Sequence, residues 1–203
     1  VPDSDNSYRL RARDAVGNTG AWSVVYAYVE NMMVSSANGP APNAAWNRNG
    51  WNTNVNWSLG SVPAGSDSVV ISNGVLAEVY GAPPAFSGAL ILRAGATLQT
   101  LVGSVLPVAP APLILNNDAS IVLRVGSALT FYEIVLPGEG AATIWGGIST
   151  SGHHQQRNFN SEIHGEGGLT LAGVNNNTFN LNTANTFTGG FQTRDPQNQR
   201  HRV

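Results

Sequence analysis

The chain has no cysteine among its 203 residues, and all ten of its basic residues are arginine, so lysine is missing as well. The first absence removes disulfides, thiolate nucleophiles and cysteine-based metal sites together. Charge is scarce: 11% of residues are Asp, Glu, Lys or Arg, against about 25% in an ordinary soluble domain. With a formal net charge of -2, there is no electrostatic basis for binding nucleic acid or an anionic membrane. Long apolar runs are also lacking. The best candidate, LVGSVLPVAPAPLIL, is interrupted by Pro107, Pro110 and Pro112 and is shorter than the ~18 residues that cross a bilayer. The expectation is a chain that does not insert in a membrane. The opening VPDSDNSYRLRARD has no basic stretch leading into an apolar one, so it does not read as a secretory leader. It reads as an internal piece of a longer protein, or as the start left after a leader is removed.

What replaces the missing charge is Asn, Thr, Ser and Gly, arranged with a period of two. YRLRARD sets Tyr8, Leu10 and Ala12 against Arg9, Arg11 and Arg13, which places apolar groups on one face of a strand. AVGNTG supplies a turn, and AWSVVYAYVE a returning strand. Residues 1–30 therefore read as a hairpin, which alone is marginal in water. MMVSSANGPAPNA loses the alternation and predicts a linker over 31–45. From 46 to 190 short apolar strands such as SVVIS, ALIL, PLIL, ATIW and LTLAG are separated by Gly, Asn, Asp and Pro. Many recur near ~20 residues, the rung length of a parallel β-helix. No stretch offers an amphipathic 3.6-residue pattern with caps. The prediction is all-β: a right-handed parallel β-helix or solenoid with an N-terminal β-hairpin, or else a β-sandwich. After Gly190 the alternation stops, and FQTRDPQNQRHRV reads as an irregular tail over 191–203.

Three segments resemble known families. YRLRARDAVGNTGAWS is similar to the last two strands of a fibronectin type III domain of bacterial extracellular proteins; the match covers about thirty residues, without the earlier strands of that fold. NWSLGSVPAGSDSVVI resembles the entry segment of bacterial β-solenoid passengers, and GLTLAG with NTFTGG resembles the autotransporter-associated β-strand repeat, with Phe187 where a tyrosine is usual. The resemblance implies a secreted or cell-surface bacterial protein with a structural role as stalk, adhesin passenger or fibre subunit. It would associate with itself or with other surface proteins.

Residues that could carry chemistry are few. GHHQQRNFNSEIHGEGG gathers His153, His154, Glu162, His164 and Glu166, but with no HExxH spacing; Glu162 and His164 share one strand face, opposite Ile163. The segment reads as a solvated loop entering a strand, and no metal site is expected. Asp3, Asp5 and Asp14 lack the loop of a calcium site. The twelve acidic residues are scattered rather than paired for glycoside hydrolysis. Neither a catalytic residue nor a cofactor is expected, and a polysaccharide-active enzyme is the third reading. The second is a carbohydrate-binding module, in which Trp46, Trp51 and Trp57 stack on sugar rings. The same tryptophans could instead cap the first rung of the solenoid.

Overall fold

A computed structural model of the chain describes residues 6–10, 23–27, 30–33, 50–79, 82–100, 112–123, 131–138, 140–146, 156–173 and 178–194. Two units are distinguished, Val1–Glu30 and Asn31–Val203. In the first, β1 (Asn6–Leu10) and β2 (Ser23–Ala27) pair antiparallel, with Tyr8 opposite Val25 and Leu10 opposite Ser23. That is the hairpin expected from the alternation; its connection lies outside the described residues.

β3 (Glu30–Met33) leads into the second unit. Then strands come in pairs: β4 (Ser68–Ile71) and β5 (Leu76–Val79), β6 (Leu90–Leu92) and β7 (Thr97–Thr100), β8 (Leu113–Leu115) and β9 (Ser120–Val122), β10 (Glu133–Leu136) and β11 (Ala141–Trp145). Two triplets follow. They are β12 (Gln156–Phe159), β13 (Glu162–Gly165) and β14 (Gly168–Ala172), then β15 (Thr178–Leu181), β16 (Thr186–Phe187) and β17 (Phe191–Arg194). Each strand pairs with its counterpart one turn away. The result is a sheet ordered β3-β4-β6-β8-β10-β13-β16, a second ordered β5-β7-β9-β11-β14-β17, and a third side formed by β12 and β15. From β4 and β5 onward the pairings are parallel. This is a parallel β-solenoid, not a sandwich of antiparallel hairpins. Neighbouring turns are offset by 21 residues between Glu78 and Gln99 and by 22 between Asn158 and Asn180.

Burial alternates along β5, β6, β7, β10 and β11, and the inward residues make the core. Val69, Leu90, Leu113, Ile134 and Ile163 stack in register on the first sheet, and Ala77, Leu98, Ile121, Ile144 and Leu171 on the second. All ten are buried. At about 1.5–3 kcal/mol for each larger side chain, stacks of this kind are the main favourable term. Ala96, Ala119 and Ala142, also buried, supply small volumes near the corners.

The corners themselves superpose. Ser72–Val75, Arg93–Ala96 and Asn116–Ala119 are four-residue turns closed by Val75 N–H to Ser72 O (3.1 Å), Ala96 N–H to Arg93 O (2.9 Å) and Ala119 N–H to Asn116 O (3.0 Å). The third residue of each turn has positive φ: Gly74 (68°), Gly95 (69°) and Asp118 (57°). Glycine and the short acidic side chain tolerate that region best. Turn bonds to turn, through Gly74 N–H to Ala94 O (3.3 Å) and Gly95 N–H to Asn117 O (3.1 Å).

The beginning of the solenoid is covered. Trp51 N–H bonds Glu78 O at 2.8 Å beside a parallel bridge between Gly50 and Glu78, while Met33 and Trp57 form an antiparallel bridge. A short 3-10 turn, Asn54–Asn56, joins the two contacts. Thus part of the stretch read as linker is built into the fold: Met33 is fully buried, and residues 34–45 lie outside the described residues. At the other end the alternation does stop at Phe191, yet β17 continues the second sheet there. Backbone pairing to β14 holds it without an inward apolar file.

Candidate interaction surfaces

Of the three tryptophans that the carbohydrate-binding alternative would use, Trp46 lies outside the described residues. The other two belong to the cap. Trp51 is 0% and Trp57 3% exposed. Their rings meet edge to face with centroids 5.0 Å apart, Trp51 stacks on Phe86 at 5.9 Å, and Trp57 Nε1–H donates to Trp51 O at 2.8 Å. Neither ring has a free face to offer a ligand; each covers the first turn, as the structural alternative required. Trp145 differs, being half-buried on the outer side of β11, in the file that runs Gln99, Val122, Trp145.

His153, His154, Asp3, Asp5 and Asp14 lie outside the described residues. Glu162 and His164 point outward from β13 as their spacing predicted, with Ile163 buried between them. His164 Nε2 lies 2.9 Å from Glu133 Oε2 on β10. Glu133 is in register with Glu162, whose Oε1 accepts a 3.4 Å bond from Thr186 Oγ1. The two partners are each one-third exposed, and a pair so placed contributes at most ~1 kcal/mol. Glu166 sits in the corner between β13 and β14. Among the described residues no group of three His, Asp or Glu is placed to hold a metal ion.

Two features escaped the sequence reading. The first is an amide ladder on the third side. Asn180 Nδ2 donates to Asn158 Oδ1 at 2.7 Å and Asn182 Nδ2 to Asn160 Oδ1 at 2.8 Å. Below it, Thr183 Oγ1 bonds Ser161 O at 2.7 Å and Ser161 Oγ bonds Phe131 O. The signal was present as a repeat, NFNSEIHGEGGLTL over NLNTANTFTGGFQT at an offset of 22. The second is Arg157, only 7% exposed. It shares the inward parity of Phe159, and its guanidinium reaches Gly146 O (3.0 Å) and Leu123 O (3.3 Å), just past the ends of β11 and β9. Burial lowers its pKa by disfavouring the charged form. Aligned at the same offset, Arg157 faces Phe179, so a cation stands at a position where the next turn has an aromatic ring.

The last turn is the most open surface. β17 is exposed along all four residues, and Phe191 is 48% exposed. Its ring lies 6.3 Å from that of Phe187, while Phe179 stacks on Phe159 at 6.2 Å. Comparison of the chain with protein-family models, curated proteins and solved structures gave no significant match.

Proposed function

We propose that this chain is a structural, non-catalytic segment of a secreted or cell-surface bacterial protein: a stalk, adhesin passenger or extracellular fibre subunit. The observation that carries the reading is the stacking of successive turns from β4 to β17, in which inward side chains, corner turns and, on the third side of the last two turns, outward amides contact the next turn. A chain organised in this way holds a fixed, extended face, and such faces suit contact with other molecules. The cysteine-free, charge-poor composition and the resemblance to β-solenoid passengers support an extracellular setting and a bacterial source. Self-association or contact with other surface proteins is the expected partnership. The carbohydrate reading loses its best argument with the burial of Trp51 and Trp57; a glycan would have to use another ring, such as the exposed Tyr132 or Trp145, the most accessible described tryptophan.

The test is a titration of the full chain with a panel of neutral and acidic polysaccharides, followed by intrinsic tryptophan fluorescence. The scaffold reading predicts no saturable change. A saturable quench that disappears in Trp145→Ala would replace it with a carbohydrate-binding role.

A further inference from the structure

The outer face of the first sheet is aliphatic where a solvated strand would carry polar groups. Leu90, Leu92, Leu113, Leu115 and Ile134 take the inward positions, which leaves Val70, Ile91, Ile114 and Val135 in register on the outside. Val70 is fully buried, so this file emerges only from Ile91 onward, and Ile91 and Ile114 are half-buried. Two residues further along the same strands stand Arg93 and Asn116, the first residues of their corner turns. Between the two files the surface folds into a cleft of about 390 Å³ lined by Asn73, Ile91, Arg93, Ala94, Ile114 and Asn116. That volume lies within the ~300–1,000 Å³ of small-ligand sites.

The lining divides by chemistry. The two isoleucines supply an apolar floor, and Arg93 and Asn73 are exposed at its rim. Arg93 is the one basic residue within 68–79, 82–100 and 112–123. A guanidinium carries five N–H donors in a fork, so a bond it makes within the chain leaves donors for a carboxylate. Asn116 Nδ2 donates to Leu92 O at 2.9 Å, which fixes that side chain against the strand end. Asp118, the acid of the same corner, is not part of the lining. A single cation beside half-buried aliphatic groups suits a monoanion with an apolar part, because a dianion such as phosphate would lose more hydration than one guanidinium returns. Length enters as well. Ile91 and Arg93 are ~7 Å apart along the strand, so acetate reaches one of them and a chain of several carbons reaches both.

We propose that this cleft binds an aliphatic monocarboxylate, with the carboxylate on Arg93 and Asn73 and the hydrocarbon on Ile91 and Ile114. A free short-chain fatty acid and the carboxyl end of a peptide with an apolar last residue share that chemistry. The site goes beyond the scaffold reading and does not depend on it.

Titration of the isotope-labelled full chain with hexanoate, followed by NMR chemical shifts, tests this. Saturable shifts are expected at Asn73, Ile91, Arg93 and Ile114. Acetate, which lacks the hydrocarbon, and hexanamide, which lacks the charge, should each bind at least tenfold more weakly. Arg93→Gln should weaken hexanoate at least tenfold, down to the level of hexanamide, while Arg93→Lys keeps part of the affinity. Because the hexanamide and acetate comparisons use the natural chain, they decide the matter even if Arg93→Gln unfolds. N-acetyl-leucine run beside hexanoate identifies the source: tighter binding of the first supports a peptide end, and of the second a free acid. Absence of saturable shifts with both carboxylates, equal binding of hexanoate and hexanamide, or shifts centred away from these four residues overturns the proposal. None of these results touches the scaffold reading, which fails separately, on saturable glycan binding.

Discussion

Gly165→Ala is expected to destabilise the solenoid by about 3 kcal/mol or more, seen as a large fall in the urea midpoint. Two independent costs meet at this residue. Its φ is 120°, a region essentially closed to side chains, and a Cβ built on it would stand 2.2 Å from the backbone oxygen of Leu136 on the turn below. That oxygen cannot withdraw, because it accepts the Gly167 N–H at 2.8 Å and belongs to the β10 ladder. Gly74 is the internal comparison. With φ at 68° and nothing within 4 Å of a Cβ, Gly74→Ala carries only the left-handed backbone term, about 1–2 kcal/mol. Equal losses at the two positions would show that the close approach between turns is not real.

Replacing Arg157 has the second largest expected effect. Arg157→Ala removes the bonds to Gly146 O and Leu123 O, strands buried carbonyls and leaves a void, for a loss of about 3–4 kcal/mol. Arg157→Met refills most of the volume and should lose about 2 kcal/mol. The two carbonyls come from neighbouring turns, linked by Leu123 N–H to Trp145 O at 3.0 Å, so the side chain clamps one turn to the next. Thermal unfolding of both variants against the natural chain checks the order. An alanine variant as stable as the parent would mean that Arg157 is peripheral to the interior.

These two residues also mark the limits of what the sequence discloses. Short apolar runs such as SVVI and LIL were enough to place strands, and alternation in AATIW its inward residues, because a half-buried strand must repeat with period two. The parallel stacking was legible from spacing near 20 residues, and the caps from the cluster of tryptophans. Arg157 was not legible, since burial of a cation depends on where carbonyl ends from other turns fall, and those lie far along the chain. β17 was missed for a different reason. Its side chains carry no alternation, and its place is set by backbone bonds to β14, which any sequence without proline can make. The amide ladder hid in plain view: Asn at turns is ordinary, and only the offset of 22 between Asn158 and Asn180 shows that the asparagines stack. The sugar-binding alternative rested on tryptophans close together in sequence. Backbone contacts to Glu78 and Met33 hold Trp51 and Trp57 in the cap, and strand alternation sets Glu162 and His164 on an outer face.

The parallel, in-register stack is the claim on which the rest depends, and the absence of native cysteine allows a direct test by cross-linking. Four double variants are made under mild oxidation: the matched pairs Asn158→Cys with Asn180→Cys and Asn160→Cys with Asn182→Cys, and the crossed pairs 158 with 182 and 160 with 180. Register partners in adjacent strands lie within the Cα range a disulfide needs. The parallel solenoid, with Asn158 opposite Asn180, predicts that the matched pairs close rapidly and the crossed pairs slowly or not at all. Preferential closure of the crossed pairs, as an antiparallel hairpin between these segments would give, would contradict it.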